Sequence, residues 1–258
     1  MSAQFVQHVR PADADRHPAA IGWIVAAILI LAALLASGAA QAQGLTVLPV
    51  SIQMAPGQMA AALTVQNHTD SETSFQIRAF SWNQQSNTDQ LAATNDIVAS
   101  PPLATIPANG SQVVRIVLRR PPQGAEASYR IWLDQIPAAT APPGMVRIAL
   151  RLSIPIFAEP TTRAAPHLTW RVETGGGRAS LVVTNDGSHH ESVRDIVLAS
   201  SDGRMLRLEA SPSPYVLAGA TRRWQILASV PATGARLKLT ASTDTGRIDQ
   251  AVPVVSGP

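Results

Sequence analysis

The chain of 258 residues has no cysteine, and only one lysine, Lys238, among its 20 basic residues. Without cysteine there is no disulfide framework, no thiolate zinc site and no thiol nucleophile. A blue-copper centre, which needs a Cys ligand, is excluded as well. Compartment is left open by this absence, because exported proteins need not carry disulfides. The arginines are scattered, with no basic run interleaved with aromatics, so at a net charge of +3 nucleic-acid binding has no support. Only 14% of residues are charged against 46% apolar, which points to packed cores and away from a disordered chain.

Catalytic signatures are missing too. There is no Gly-x-Ser-x-Gly elbow, no phosphate loop and no His-Glu-x-x-His. The carboxylates Asp195 and Asp202, or Asp244 and Asp249, fall in turns, and nothing places either pair in one cleft. His189-His190-Glu191 follows the turn residues Asn185-Asp-Gly187. Neighbours on an extended chain point to opposite sides, so no metal site is expected there. No enzymatic activity, cofactor or small-molecule substrate is expected.

What is present begins with the N-terminus. Arg10 and Arg16 precede an apolar run over residues 19–36, followed by small residues and Ala40-Gln-Ala42, a small-x-small cleavage pattern. Residues 1–42 read as a secretory signal peptide. The apolar run approaches the ~20 residues that span a bilayer, so an uncleaved inner-membrane anchor is the competing reading. Both put the remaining chain outside the cytoplasm.

From Leu45 onward the pattern is that of short strands, with no helical period. In the run 74–82, Phe75, Ile77 and Ala79 alternate with Arg78, Phe80 and Trp82. In 128–136, Tyr129, Ile131 and Leu133 alternate with Arg130, Trp132 and Asp134. Residues 83–94 read as a polar loop. About seven strands at near-regular spacing make an immunoglobulin-like sandwich over residues 43–158. Residues 159–166, with a proline at each end and few large apolar side chains, read as a linker. Residues 167–258 form a second β-sandwich. The fold class expected is all-β, two immunoglobulin-like domains.

The most informative stretch is 146–157. Val146, Ile148, Leu150, Leu152, Ile154 and Ile156 are all large and apolar, and they alternate with Arg147, Ala149, Arg151, Ser153, Pro155 and Phe157. This is one strand with a continuous apolar face. Pro155 cannot donate a ladder hydrogen bond, which places the strand at a sheet edge. The arginines guard such an edge against indiscriminate pairing. Either the apolar row faces the strand's own core, or it serves to pair with another chain.

The order of these segments, with Ser128-Tyr-Arg-Ile-Trp-Leu-Asp-Gln-Ile-Pro137, the proline-rich loop after it, and Ile156-Phe-Ala-Glu-Pro160, resembles the periplasmic pilus chaperones of the chaperone–usher pathway. Leu63-Thr-Val-Gln-Asn67, Arg78-Ala-Phe-Ser-Trp82 and Ser100-Pro-Pro102 are similar to the archaic branch that assembles spore-coat-protein-U-like pili. The resemblance implies a boomerang arrangement of the two domains, a periplasmic location, and binding of pilin-like secreted subunits for delivery to an outer-membrane usher. It also implies donor-strand complementation, in which Val146, Ile148, Leu150, Leu152, Ile154 and Ile156 would fill a subunit's groove. Classical members grip the subunit's terminal carboxylate with an arginine in the first strand and a lysine in the donor strand. Ser51 and Pro155 stand at those positions here, so Arg130, with Arg78 and Arg115 behind it, is the candidate anchor. A structural or adhesive cell-surface protein of two sandwiches is the alternative.

Overall fold

Alternation with a period of two lets a strand bury one face and solvate the other, and it is repeated often enough here to build two sandwiches. The computed structural model describes residues 44–137, 149–211, 213–228 and 230–257. Residues 1–42 and the donor positions Val146 and Ile148 lie outside the described residues.

Strands are numbered in chain order. One layer of the first sandwich runs β1 (Leu45–Leu48), β3 (Ala60–Asn67), β8 (Ser111–Leu118), β6 (Ile97–Ser100). The facing layer runs β2 (Ile52–Met54), β10 (Arg151–Ala158), β9 (Ala127–Ile136), β4 (Thr73–Gln85), β5 (Thr88–Ala93), with β7 (Leu103–Ile106) also on β4. Leu63, Val65, Val114 and Ile116 from one layer meet Phe75, Ile77, Ile131, Leu133, Ile154 and Ile156 from the other in one buried cluster.

The second sandwich comprises β11 (Leu168–Gly175), β12 (Arg178–Asn185), β13 (Glu191–Ala199), β14 (Met205–Leu206), β15 (Tyr215–Val216), β16 (Thr221–Gln225), β17 (Arg236–Thr243) and β18 (Gly246–Ser256). Its strands are ordered β14-β13-β17-β18-β11-β12-β16, with β15 on β13. Leu181 and Val183 of β12 share its core with Leu198, Leu239 and Val252 of β13, β17 and β18.

Residues 83–94, expected as a polar loop, instead form a hairpin. β4 runs on to Gln85 and pairs with β5 from Gln85↔Thr88 to Phe80↔Ala93. The two turn residues, Ser86 and Asn87, have φ of 50° and 64°. That left-handed pair matches the twist of a two-residue hairpin, and a polar composition alone does not reveal it.

The two sandwiches share a device that the sequence hid. Asn67 ends β3 and Asn185 ends β12, and both are buried. Asn67 Nδ2 donates to the carbonyls of Ser71, Ile106 and Pro107 at 2.8, 3.2 and 3.0 Å. Asn185 Nδ2 donates to those of His189 and Val216 at 2.8 and 3.1 Å, while its Oδ1 accepts from the amides of His167 and Gly187. Each amide side chain thus satisfies backbone groups that a strand end leaves orphaned. A Cβ at Gly187 would come within 2.4 Å of the Ala165 carbonyl and the His167 amide, so the chain entering β11 lies directly against this turn. Asn185→Ala leaves these buried groups unpaired and should destabilise the second sandwich by about 2–3 kcal/mol, read as a shift of its urea transition.

Candidate functional site

β10 is flanked on both sides for only part of its length. It pairs antiparallel with β9 throughout, from Arg151↔Asp134 to Ala158↔Ala127. On its other side β2 pairs with it in parallel, and only at Ile156, Phe157 and Ala158. Among the described residues, nothing pairs with the outer edge of Arg151–Pro155. The carbonyl of Leu150 accepts from the Gln135 amide at 2.9 Å. Because the pattern alternates along an antiparallel pair, Arg151 and Ser153 turn their N–H and C=O groups to the open side. Pro155, which has no N–H, occupies the last open position.

The apolar row of this strand divides in two. Ile154 and Ile156 are 4% and 0% exposed and sit in the core of their own sandwich. The family resemblance implied them as donor plugs; they are already committed, because they share a buried cluster with Leu63, Val65, Val114 and Ile116 of the facing layer. Leu152 is half-buried at the rim of the core, and Leu150 is half-buried just ahead of the strand.

The opposite face of the sheet fixes the open edge from behind. Asp134 accepts from Arg78 Nη2 at 2.6 Å and from Nε at 3.1 Å, and it also accepts from Arg151 Nε across the β9–β10 pair. Arg151 lies 4.1 Å over the Trp132 ring, and Arg78 lies 5.4 Å from it. Phe80 packs against Trp132 at 4.6 Å. Burial works against the charge on Asp134, but the donors from Arg151 and Arg78 outweigh it and hold the carboxyl below its ordinary range. Arg78, read as a reserve anchor, is therefore occupied by Asp134. Arg115, the other reserve, is exposed on β8 in the opposite layer and does not stand behind Arg130.

Arg130 is directly across from Pro155. Its guanidinium stacks 3.7 Å over Trp82 and approaches Tyr215 at 5.9 Å, with an Asp89 carboxylate oxygen at 4.0 Å. Burial pulls its pKa below the usual value, opposed by Asp89 and Tyr215. Trp82 and Phe157 belong to an apolar cluster with Leu217 and Ala220, which joins the first sandwich to the second. The β4–β5 hairpin extends the joint. Asn87 exchanges hydrogen bonds with the Arg223 backbone at 2.7 and 3.1 Å, and Gln84 bonds to the backbone of Tyr215 and Leu217.

Sequence reasoning named Arg130 but missed Asp134, Asp89, Gln84 and Asn87, whose roles depend on which strand lies opposite. It also treated His189 and His190 as divergent. Their rings stack at 4.6 Å, and both reach Glu126, which precedes β9 in the other sandwich. Glu191 turns away, accepting from the Asp244 amide and the Thr245 hydroxyl.

Residues 44–164 match the family described as pili and flagellar-assembly chaperone, PapD N-terminal domain. Curated relatives described as probable fimbrial chaperone EcpB, from Escherichia coli O157:H7 and its strain EC4115, are 32% identical over 111 residues. The match covers 42% of this chain and 50% of theirs, so the chain spans about half the length of the curated relatives it matches. Among solved structures, the CsuC–CsuE chaperone–tip adhesion subunit complex of Acinetobacter baumannii archaic Csu pili aligns over 83% of this chain and 100% of that one, at 21% identity and a TM-score of 0.60. The YadV chaperone aligns over 81% and 98% at 17% identity, TM-score 0.58. The Salmonella enterica SafA pilin–SafB chaperone complex aligns over 84% and 98% at 16% identity, TM-score 0.55. The chain shares their fold.

The lowered pKa of Asp134 gives a signed pH dependence. Its contribution is fully present above the unfolded carboxyl value of about 3.9 and is lost as pH falls through the lower folded value. Asp134→Asn should cost about 1–2 kcal/mol at pH 7 and much less near pH 2, measured as urea midpoints at the two pH values.

Proposed function

We propose that the protein is a periplasmic chaperone for pilin-like secreted subunits, lending them the free edge of β10 and passing them to an outer-membrane usher. The observation that carries this reading is the one-sided pairing of Arg151–Pro155, which offers backbone donors and acceptors beside a row of aliphatic side chains. An extended segment of a partner can continue the sheet there, with main-chain bonds giving affinity and alternate side chains giving fit. The PapD N-terminal domain match over residues 44–164 and the shared fold support the same reading. Residues 1–42 act as the export signal in this scheme. Residues 43–158 and 167–258 act as two domains joined through 159–166.

The plugs in this proposal are Leu150 and Leu152, continued upstream by Val146 and Ile148. Fully burying an exposed aliphatic contributes about 1.5–3 kcal/mol, and Leu150 and Leu152, already half-buried, would add roughly half of that each. Association costs about 4–15 kcal/mol, so the main-chain bonds along Arg151 and Ser153 are needed as well. Arg130, next to Pro155 and with its nearest acidic oxygen at 4.0 Å, is the proposed grip for a subunit's terminal carboxylate. An arginine fork can hold that group with two parallel hydrogen bonds.

The test is co-expression of the tagged protein with the small secreted β proteins encoded beside it, in parallel with Leu150→Asp. A one-to-one complex is expected, with affinity falling at least a hundredfold in the variant. Failure to capture a subunit, or capture indifferent to Leu150, would remove strand lending and favour a structural or adhesive role. Arg130→Ala should weaken an intact complex about tenfold, with the loss absent for a subunit amidated at its C-terminus.

A further inference from the structure

Where the two sandwiches meet, four side chains from three separate parts of the chain converge. Glu126 comes from the segment before β9, Glu159 follows β10, and His189 and His190 come from the turn between β12 and β13. The Glu126 amide also donates to the Ser188 carbonyl at 2.8 Å, which fixes the turn against the first sandwich. Glu126 has a side-chain exposure of 0%, and His190 one of 2%. A carboxylate removed from water this fully requires compensating positive charge.

The tautomer of His189 can be assigned from its surroundings. Its Nδ1 lies 2.6 Å from the carbonyl oxygen of His190, which can only accept, so Nδ1 carries a proton. The Nε2 atom is then turned toward Glu126 Oε2 at 3.1 Å and Glu159 Oε1 at 3.9 Å. A neutral imidazole would direct a lone pair at two carboxylates. A proton or a cation must therefore sit between Nε2 and these carboxylates. A backbone carbonyl on one ring nitrogen with the other nitrogen facing anions is the arrangement of a metal-ligating histidine. His190 Nδ1 sits 2.8 and 2.9 Å from the two Glu126 oxygens, and its ring is held parallel to Phe157 at 3.6 Å.

We propose that Glu126, His189 and His190, with Glu159 as the fourth group, form a binding site for a divalent transition-metal ion of the zinc type. The ligand atoms of the first three lie within 4.8 Å of one another, which a cation about 2.0–2.2 Å from each can span with small side-chain movement. Two carboxylates and two neutral imidazoles carry a charge of −2, which a divalent ion balances. The nitrogen and oxygen donor set, with no thiolate, suits zinc and its neighbours in the transition series and not calcium or magnesium. A metal held here ties the start of β9 and the end of β10 to the second sandwich.

The experiment is Zn2+ titration of the full chain after chelator treatment, followed by calorimetry and thermal unfolding, with Co2+ absorption as a second probe of coordination. One ion per chain is expected, with micromolar or tighter affinity and a Tm rise of about 3–5 °C at saturating metal. Glu126 and His190 are buried and their variants can misfold, so the test rests on His189→Gln and Glu159→Gln, with native folding checked by circular dichroism. His189→Gln should weaken binding at least a hundredfold and abolish the tetrahedral Co2+ bands, and Glu159→Gln should weaken binding about tenfold. Absence of stoichiometric binding to the wild type would overturn the site. Binding unchanged in both variants would also overturn it.

Discussion

Among the described residues, β10 is satisfied on both flanks only from Ile156 onward, and much of the first sandwich is arranged around that asymmetry. An open edge carrying aliphatic side chains is unstable toward pairing with whatever extended chain it meets. Among the described residues, no strand covers it over Arg151–Pro155. Arg151, on the open segment, is tied to Asp134 and stacked on Trp132, so the edge is kept straight by contacts on the face away from its apolar row. The ordering entropy of that segment is therefore largely spent in folding, before any partner arrives.

The rooted half of the same strand serves the joint between the sandwiches. Phe157 lies among Trp82, Tyr215 and His190, with ring centroids 5.8, 5.1 and 3.6 Å away. Pro155, two residues back, is opposite Arg130, which itself stacks on Trp82. The open edge and the joint are thus consecutive parts of one strand. The polar side of the joint is supplied by the β4–β5 hairpin, where Asn87 and Asp89 meet Arg222 and Arg223.

Alternation made most of the strands legible, because burying one face of a strand leaves a period of two in the text. It also singled out the stretch 146–157 and placed Pro155 at an edge, where β10 has it. It could not divide the apolar row, since Leu152 and Ile154 are equivalent in pattern and differ only in what lies over them. Arg78 and Arg115 looked interchangeable for the same reason: their layers are set by pairing between strands far apart in sequence. The hairpin at Ser86 and Asn87 was hidden in polar composition. His189 and His190 were misjudged because the rule that neighbours diverge holds for extended chain, and these two lie where a turn passes into β13.

Pro155 and β2 together act as a ruler. Under the proposed function, a partner segment zipping along the edge would gain a rung at Arg151 and at Ser153, meet a missing donor at Pro155, and at Ile156 find the lane already taken by Ile52. In the proposed strand lending, the register of an incoming strand would be read from this stop, not from the free end of the row. A segment one residue out of step would present the wrong face to Leu152 along its whole length.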